Sequence, residues 1–372
     1  MPAYIGVNGK AKAIAKVYKG DSNGKAQLIW GPKGIVKYTG NIVDYLSIGR
    51  YWVEATTVGN YALFGGGVSG SGSDLTYQST VDAYDSSLTR TTATALSESR
   101  DVLAATTVGN YALFGGGSTT TGTYYSTVDA YNTSLTRTTA TALRNKKYHI
   151  TATTVGDYAL FGGGYGIISG TRRDYYNTVD AYNTSLTRTT VTNLSAARYM
   201  MPATTVGNYA LFGGGVSRHN STDQYYDTVD AYNTSLTRTT ATPLSKARYN
   251  HTAATVGDHA LFGGGFSKIN DSNTYHDTVD AYNTSLTRTT ATPLSKARYM
   301  AQTTTIGNYA LFGGGNNNGS IVDVYDASLT RTATTNLSIY RYMHAATTVG
   351  NYALFGGGYG SYDTVEAYYV WE

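Results

Sequence analysis

Residues Arg248–Leu294 read RYNHTAATVGDHALFGGGFSKINDSNTYHDTVDAYNTSLTRTTATPL. The stretch parses into four short strands. RYNHTAATV is followed by a Gly257-Asp258 turn, HALFGGG by a polar loop, and DTVDAY by Asn283-Thr284-Ser285 and the strand LTRTTAT. Gly-Asp between two apolar runs suits a tight hairpin, because glycine takes positive φ without steric penalty. Thr, Val, Tyr and Phe fit a pleated, buried surface. Alternation sets His259 and Leu261 on one face and Ala260 and Phe262 on the other. Apolar groups on both faces predict a sheet sandwiched between neighbours.

The same unit recurs along the chain. YALFGGG, or a one-residue variant, begins at Tyr61, Tyr111, Tyr158, Tyr209, His259, Tyr309 and Tyr352, at spacings of 50, 47, 51, 50, 50 and 43 residues. TVDAY or a near variant begins at Thr80, Thr127, Thr178, Thr228, Thr278, Ile321 and Thr364. Repeats of this period built of four strands predict an all-β, seven-bladed propeller over residues 33–372. SLTRT has only six copies, at Ser87, Ser134, Ser185, Ser235, Ser285 and Ser328, and the last unit stops after its third strand. Leu46-Ser47 with Arg50-Tyr51 matches Leu244-Ser245 with Arg248-Tyr249, so residues near Gly34–Tyr45 are expected to supply the missing fourth strand. Such a closure removes the exposed sheet edges.

The units resemble the Kelch repeat, with a diglycine after an apolar strand and then an acidic-x-Tyr strand, here Phe212-Gly213-Gly214 and Asp230-Ala231-Tyr232. The resemblance covers residues 41–372 and implies a four-stranded blade. It departs at the tryptophan that usually follows the tyrosine, where this chain has Arg238-Thr239 or their equivalents. Some Kelch-type propellers are copper oxidases of sugars, but with no cysteine and no suitable Tyr/His cluster that activity does not transfer.

Composition narrows the function classes. The 372 residues include 43 Gly and 36 Tyr but no Cys, which excludes a disulfide frame, a thiolate nucleophile and a thiolate metal site. A net charge of +4 without clustered Lys and Arg gives no nucleic-acid groove. No run approaches the ~18 apolar residues of a membrane span, and the opening MPAYIGVNGKAKAIAK lacks a signal-peptide core. Residues 1–32 stand outside the repeat and carry Asn8-Gly9-Lys10-Ala11 and Asn23-Gly24-Lys25-Ala26, which signal a small β appendage. YIGVNGKAKAIAKVY, Tyr4–Tyr18, resembles short modules at the start of tail-associated proteins of phages and prophages of Gram-positive bacteria. That resemblance implies a virion or phage-like particle, with residues 1–32 contacting other tail or particle proteins.

Comparison of the seven copies separates two faces. The 1–2 turn and the 3–4 turn barely change, whereas the 2–3 loop and the stretch entering strand one change freely. In an antiparallel blade the two variable connections share one face, and a uniform scaffold diversified on one side reads as a binding surface. The 2–3 loops are rich in Tyr, Ser, Gly and Asn, a composition also found in antibody paratopes. Candidate contact residues there are Tyr77, Tyr124, Tyr125, Arg172, Arg173, Tyr175, Tyr176, Arg218, His219, Tyr225, Tyr226, Tyr275 and His276. At the strand-one entry they are Trp52, Glu54, Met200, His251 and His344, within a variable set that includes His149, Met201, Asn250 and Gln302.

Other chemistry is sparse. The glycine runs lack the helix and Lys-Ser/Thr of a phosphate loop and are read as close backbone approach near the propeller axis. No His spacing suggests a metal, and no cofactor is expected. Acids at Asp82, Asp129, Asp180, Asp230, Asp280, Asp323 and Glu366, and arginines at Arg90, Arg137, Arg188, Arg238, Arg288 and Arg331, recur in register and read as structural pairs. A second ring, Arg50, Arg100, Arg198, Arg248, Arg298 and Arg341 with Lys147 in blade three, reads either as an anion site or as a clamp. The expectation is a non-enzymatic recognition module that binds a bacterial surface glycan or protein. The alternatives are a structural decoration protein of a phage-like particle and a carbohydrate-active enzyme.

Overall fold

The computed structural model describes residues 34–371 apart from 120–121, 170–171, 220–221 and 270–271, together with Tyr4–Val7, Lys10–Ala13, Val17–Gly20 and Ala26–Trp30. Seven four-stranded antiparallel sheets follow one another along the chain. Blade five shows the unit: Thr252–Val256, His259–Gly263, Val279–Asn283 and Arg288–Thr290, with Leu261 opposite Ala281 and Tyr282 opposite Arg288. The first glycine of each 1–2 turn has positive φ, 52° at Gly257, and its partner Asp258 does not, the sign pattern of a type II′ hairpin. Before residue 34 the chain forms two antiparallel pairs, Tyr4–Val7 with Lys10–Ala13 and Val17–Gly20 with Ala26–Trp30. The Asn8-Gly9 and Asn23-Gly24 turns expected there lie outside the described residues.

The core lies between blades, as the two-sided alternation of HALFGGG requires. Ala260, Phe262 and Tyr282 of blade five pack with Val206, Leu211 and Val229 of blade four, and Leu261, Val279 and Ala281 with Ala310 and Phe312 of blade six. Each Phe meets the Tyr of its own blade edge to face, at 5.7 Å for Phe262 and Tyr282. In blades two to seven the hydroxyl of that Tyr donates back to the preceding blade, at 2.8 Å from Tyr282 to the Thr242 carbonyl.

The recurring charges join linker to blade. Asp230 accepts from buried Arg198 on one oxygen at 2.8 Å and from Arg238 on the other at 2.7 Å, while Ser195 N–H binds the first. Arg198 belongs to the linker entering blade four and Arg238 to its fourth strand. The second ring of arginines is therefore a clamp: Arg50, Arg100, Arg198, Arg248, Arg298 and Arg341 are fully buried and each meets its blade's acid. In blade three Lys147 sits 3.6 Å from Asp180, and burial lowers its ammonium to about 8. Arg188 holds the same carboxylate at 3.0 Å, and Arg144 reaches it at 3.5 Å as a third cation.

The triple glycines serve the blade interfaces rather than the axis. A Cβ on Gly213 would stand 2.8 Å from Phe262 of the next blade, and one on Gly214, at φ 63°, 2.6 Å from the Arg248 carbonyl. Gly215 N–H then donates to that carbonyl at 2.9 Å, and the contact recurs around the ring. Closure is as expected. Ile35–Tyr45 pairs with Thr364–Trp371 from Trp371 opposite Ile35 to Thr364 opposite Tyr45. The seam lacks an SLTRT arginine; Tyr38 takes its place beside Glu366, and the Tyr84 hydroxyl has no partner among the described residues.

Candidate recognition face and axial cup

The strand-one entry and the base of the 2–3 connection are bonded side by side. Tyr199 and Val216 exchange both backbone hydrogen bonds, at 2.9 and 3.0 Å, and the same bridge recurs at Tyr51 with Val68 and at Tyr249 with Phe266. The two variable connections therefore share one face. Four of the expected loops are β-hairpins: Val68–Ser69 with Thr76–Tyr77, Tyr165–Ser169 with Arg172–Tyr175, Val216–His219 with Thr222–Tyr225, and Phe266–Ile269 with Ser272–Tyr275.

Aromatic contacts tie each hairpin to the next linker. Tyr175 stacks on Tyr199, Tyr225 on Tyr249 and Tyr275 on Tyr299, at 5.5, 5.7 and 5.5 Å. Tyr124 lies 4.9 Å from Tyr148, whose hydroxyl bonds Tyr165. Arg173 lies over the Tyr165 ring at 5.7 Å, and His219 is 6.1 Å from Tyr175. Arg218 faces Asp223 across its hairpin at 3.6 Å. Tyr77 is half-buried opposite Val68, and Tyr125 and Tyr176 are half-buried at the hairpin bases. Tyr226 bonds the Ser217 hydroxyl, and buried His276 bonds Ser267 at the equivalent place. The Arg172 side chain lies outside the described residues.

The strand-one entries converge on the axis and form a cup of about 300 Å³. Its rim is Trp52, Val102, His149, Met200, Asn250, Met300 and Met343, one residue from each blade. All seven hold φ between 48° and 55°, a left-handed conformation that costs a non-glycine residue roughly 1–3 kcal/mol. Backbone bonds between blades offset that strain: Trp52 N–H donates to the Met343 carbonyl and Met300 N–H to that of Asn250, both at 2.8 Å. Trp52 and His149 meet edge to face at 5.5 Å. Burial lowers the His149 imidazole to about 3 and raises the Glu54 carboxyl, on the cup wall, to about 8. Farther down strand one, Thr107 donates its hydroxyl to the Thr57 carbonyl at 2.8 Å. Thr154, Thr205, Thr255, Thr305 and Thr348 do the same to the threonine one blade back.

His251 and His344 differ from their expected placement. Their side chains are buried at 6 and 1 % exposure and pack against Gly214 and Gly314 of the preceding blade. A ligand on the face meets neither ring. Sequence reasoning named Trp52, Glu54 and Met200 but not their convergence with Met300 and Met343. The signal was available, since all five follow the linker Arg by two or four residues.

Fold and face together define a seven-bladed β-propeller with one uniform and one diversified side. Comparison with protein-family models and with curated proteins finds no match. Among solved structures the chain is similar to one titled "Structure of YjhT", with 11% sequence identity and a TM-score of 0.59 over 78% of this chain and 99% of that one. At that identity the likeness shows the fold alone.

Proposed function

We propose that this chain is a recognition module of a phage tail or phage-like particle. In this reading its hairpin face binds a bacterial surface glycan or protein, and residues 1–32 attach it to other particle proteins. The observation that carries the reading is the asymmetry of the disc. The 1–2 and 3–4 turns repeat nearly unchanged, whereas the opposite face presents unlike side chains at equivalent positions on a belt of stacked tyrosines. Tyrosines held in this way offer contact area at low entropy cost. The resemblance of Tyr4–Tyr18 to tail-protein modules supports the particle setting.

The test is binding to glycan arrays and to whole bacterial cells, comparing the native chain with variants whose 2–3 connections are replaced by the short Asn316–Ser320 loop. Binding is expected to fall with each hairpin replaced, and binding that survives replacement of every 2–3 connection would refute the assignment. Deleting residues 1–32 is expected to block incorporation into particles while leaving binding by the free protein intact. An enzymatic reading has less support, because glycoside hydrolysis ordinarily uses two carboxyl groups and, among the described residues, Glu54 is the one acid lining the cup.

A further inference from the structure

We propose that the axial cup binds a small organic ammonium group, presented by a larger surface polymer, between the Glu54 carboxylate and the Trp52–methionine rim. The proposal rests on the reading of this face as a recognition surface and names the chemistry it selects.

Three observations converge on it. First, Glu54 has no ion pair or hydrogen bond among the described residues, whereas buried Asp82 in the same blade takes both Arg50 and Arg90. The side chain is half-buried on the cup wall, so its carboxylate is partly desolvated with no protein partner, and a cation in the cup would pair with it. Second, the acid has no counterpart. The equivalent residues include Ala104, Thr151, Thr252 and Gln302, so the blade architecture does not require a charge there. Among the described residues no Lys or Arg lines the cup, and the one imidazole on its rim, His149, is held neutral by burial. Third, the rim combines Trp52 with Met200, Met300 and Met343. An indole attracts cations, and thioethers are soft and polarizable, so the rim suits an alkylammonium better than a hydrated metal ion. The volume, about 300 Å³, is at the low end for ligand pockets and suits one sugar residue or smaller.

Because burial raises the Glu54 carboxyl to about 8, a bound cation displaces its proton near neutral pH. Calorimetric titration of the full chain provides the test. The probes are choline against its neutral isostere 3,3-dimethylbutan-1-ol, and glucosamine against glucose. At least one ammonium compound is expected to bind about tenfold or more tightly than its neutral counterpart. Choline affinity should rise with pH up to about 8 and then level off, with proton release visible as a dependence on buffer ionisation heat. Glu54→Gln should remove the preference with thermal stability retained. Glu54→Thr, the residue blade three carries, serves if the first variant unfolds. Trp52→Ala should weaken choline more than glucosamine, separating quaternary from primary ammonium.

Equal binding of cationic and neutral probes, no binding of either ammonium, or an unchanged Glu54→Gln preference would each overturn the proposal. If hairpin replacement abolishes cell binding while neither ammonium binds, the cup assignment fails and the recognition reading stands. If choline binds through Glu54 but hairpin replacement leaves cell binding intact, the cup stands and the hairpin reading fails.

Discussion

At the scale of single residues, Asp230 carries two jobs on one carboxylate. It neutralises buried Arg198 and anchors Arg238, at 2.8 and 2.7 Å. Asp230→Ala leaves a buried guanidinium unpaired and is expected to cost about 3–5 kcal/mol in urea unfolding. Adding Arg198→Met to it should recover part of that loss, because an apolar replacement of the whole pair is far less costly than half a pair. His251 and His344 give a pH prediction. Burial holds both rings well below their ordinary value, so the unfolded chain binds more protons once pH falls below about 6.5, and stability declines from there downward. Each contributes up to about 1.4 kcal/mol per pH unit. The double variant His251→Met, His344→Leu is expected to lose less stability between pH ~6.5 and ~5 than the native chain, read by thermal melts. The acid and arginine rings were legible in the sequence because they recur in register. Which arginine meets which oxygen was not, since that depends on how a linker folds over the next blade. The burial of the two histidines was hidden too, because variability between copies reads alike for a surface position and for an interface filled by Val53, Leu103, Met201 or His251.

At the scale of the element, the glycine run separates two kinds of constraint. Gly214 has φ 63° and a Cβ there would meet the Arg248 carbonyl at 2.6 Å, whereas Gly72 has φ 61° with open space around it. Gly72→Ala therefore bears only the backbone penalty, about 1–2 kcal/mol. Gly214→Ala must also shift a linker and is expected to cost several kcal/mol, a contrast that paired denaturation curves resolve. The strands of the blade were readable from alternation and turn chemistry. The hairpins of blades three to five were not, because Val216-Ser217-Arg218-His219 shows no alternation and is held as a strand by its bridge to Tyr199. The rim residues were equally opaque: nothing in Trp52, Met200 or Met300 advertises a left-handed backbone, which the bonds between neighbouring linkers impose.

At the scale of the whole molecule, the ring depends on one strand borrowed from the other end of the sequence. Deleting residues 35–45 would leave the seventh blade with three strands and an open edge. Size-exclusion chromatography with light scattering is expected to show oligomers or aggregates where the intact chain is monodisperse. This closure was legible because a repeat that lacks one of its strings must find it elsewhere. The axial cup was not, because it exists only where one residue from each of seven blades converges.

The seam also gives the molecule a direction in which it is strong. Ile35–Tyr45 runs from the turn side, where Tyr309 bonds Gly34, to the hairpin side, where Tyr45 is opposite Thr364. Tension between residue 34 and the hairpin side loads its paired residues together in shear. Tension between residues 34 and 371 instead starts at Trp371 opposite Ile35 and peels the pairs apart one after another. A disc pulled through its thickness should therefore hold at forces that would unzip the same strand when applied across its two ends. Single-molecule stretching along the two axes would measure that difference.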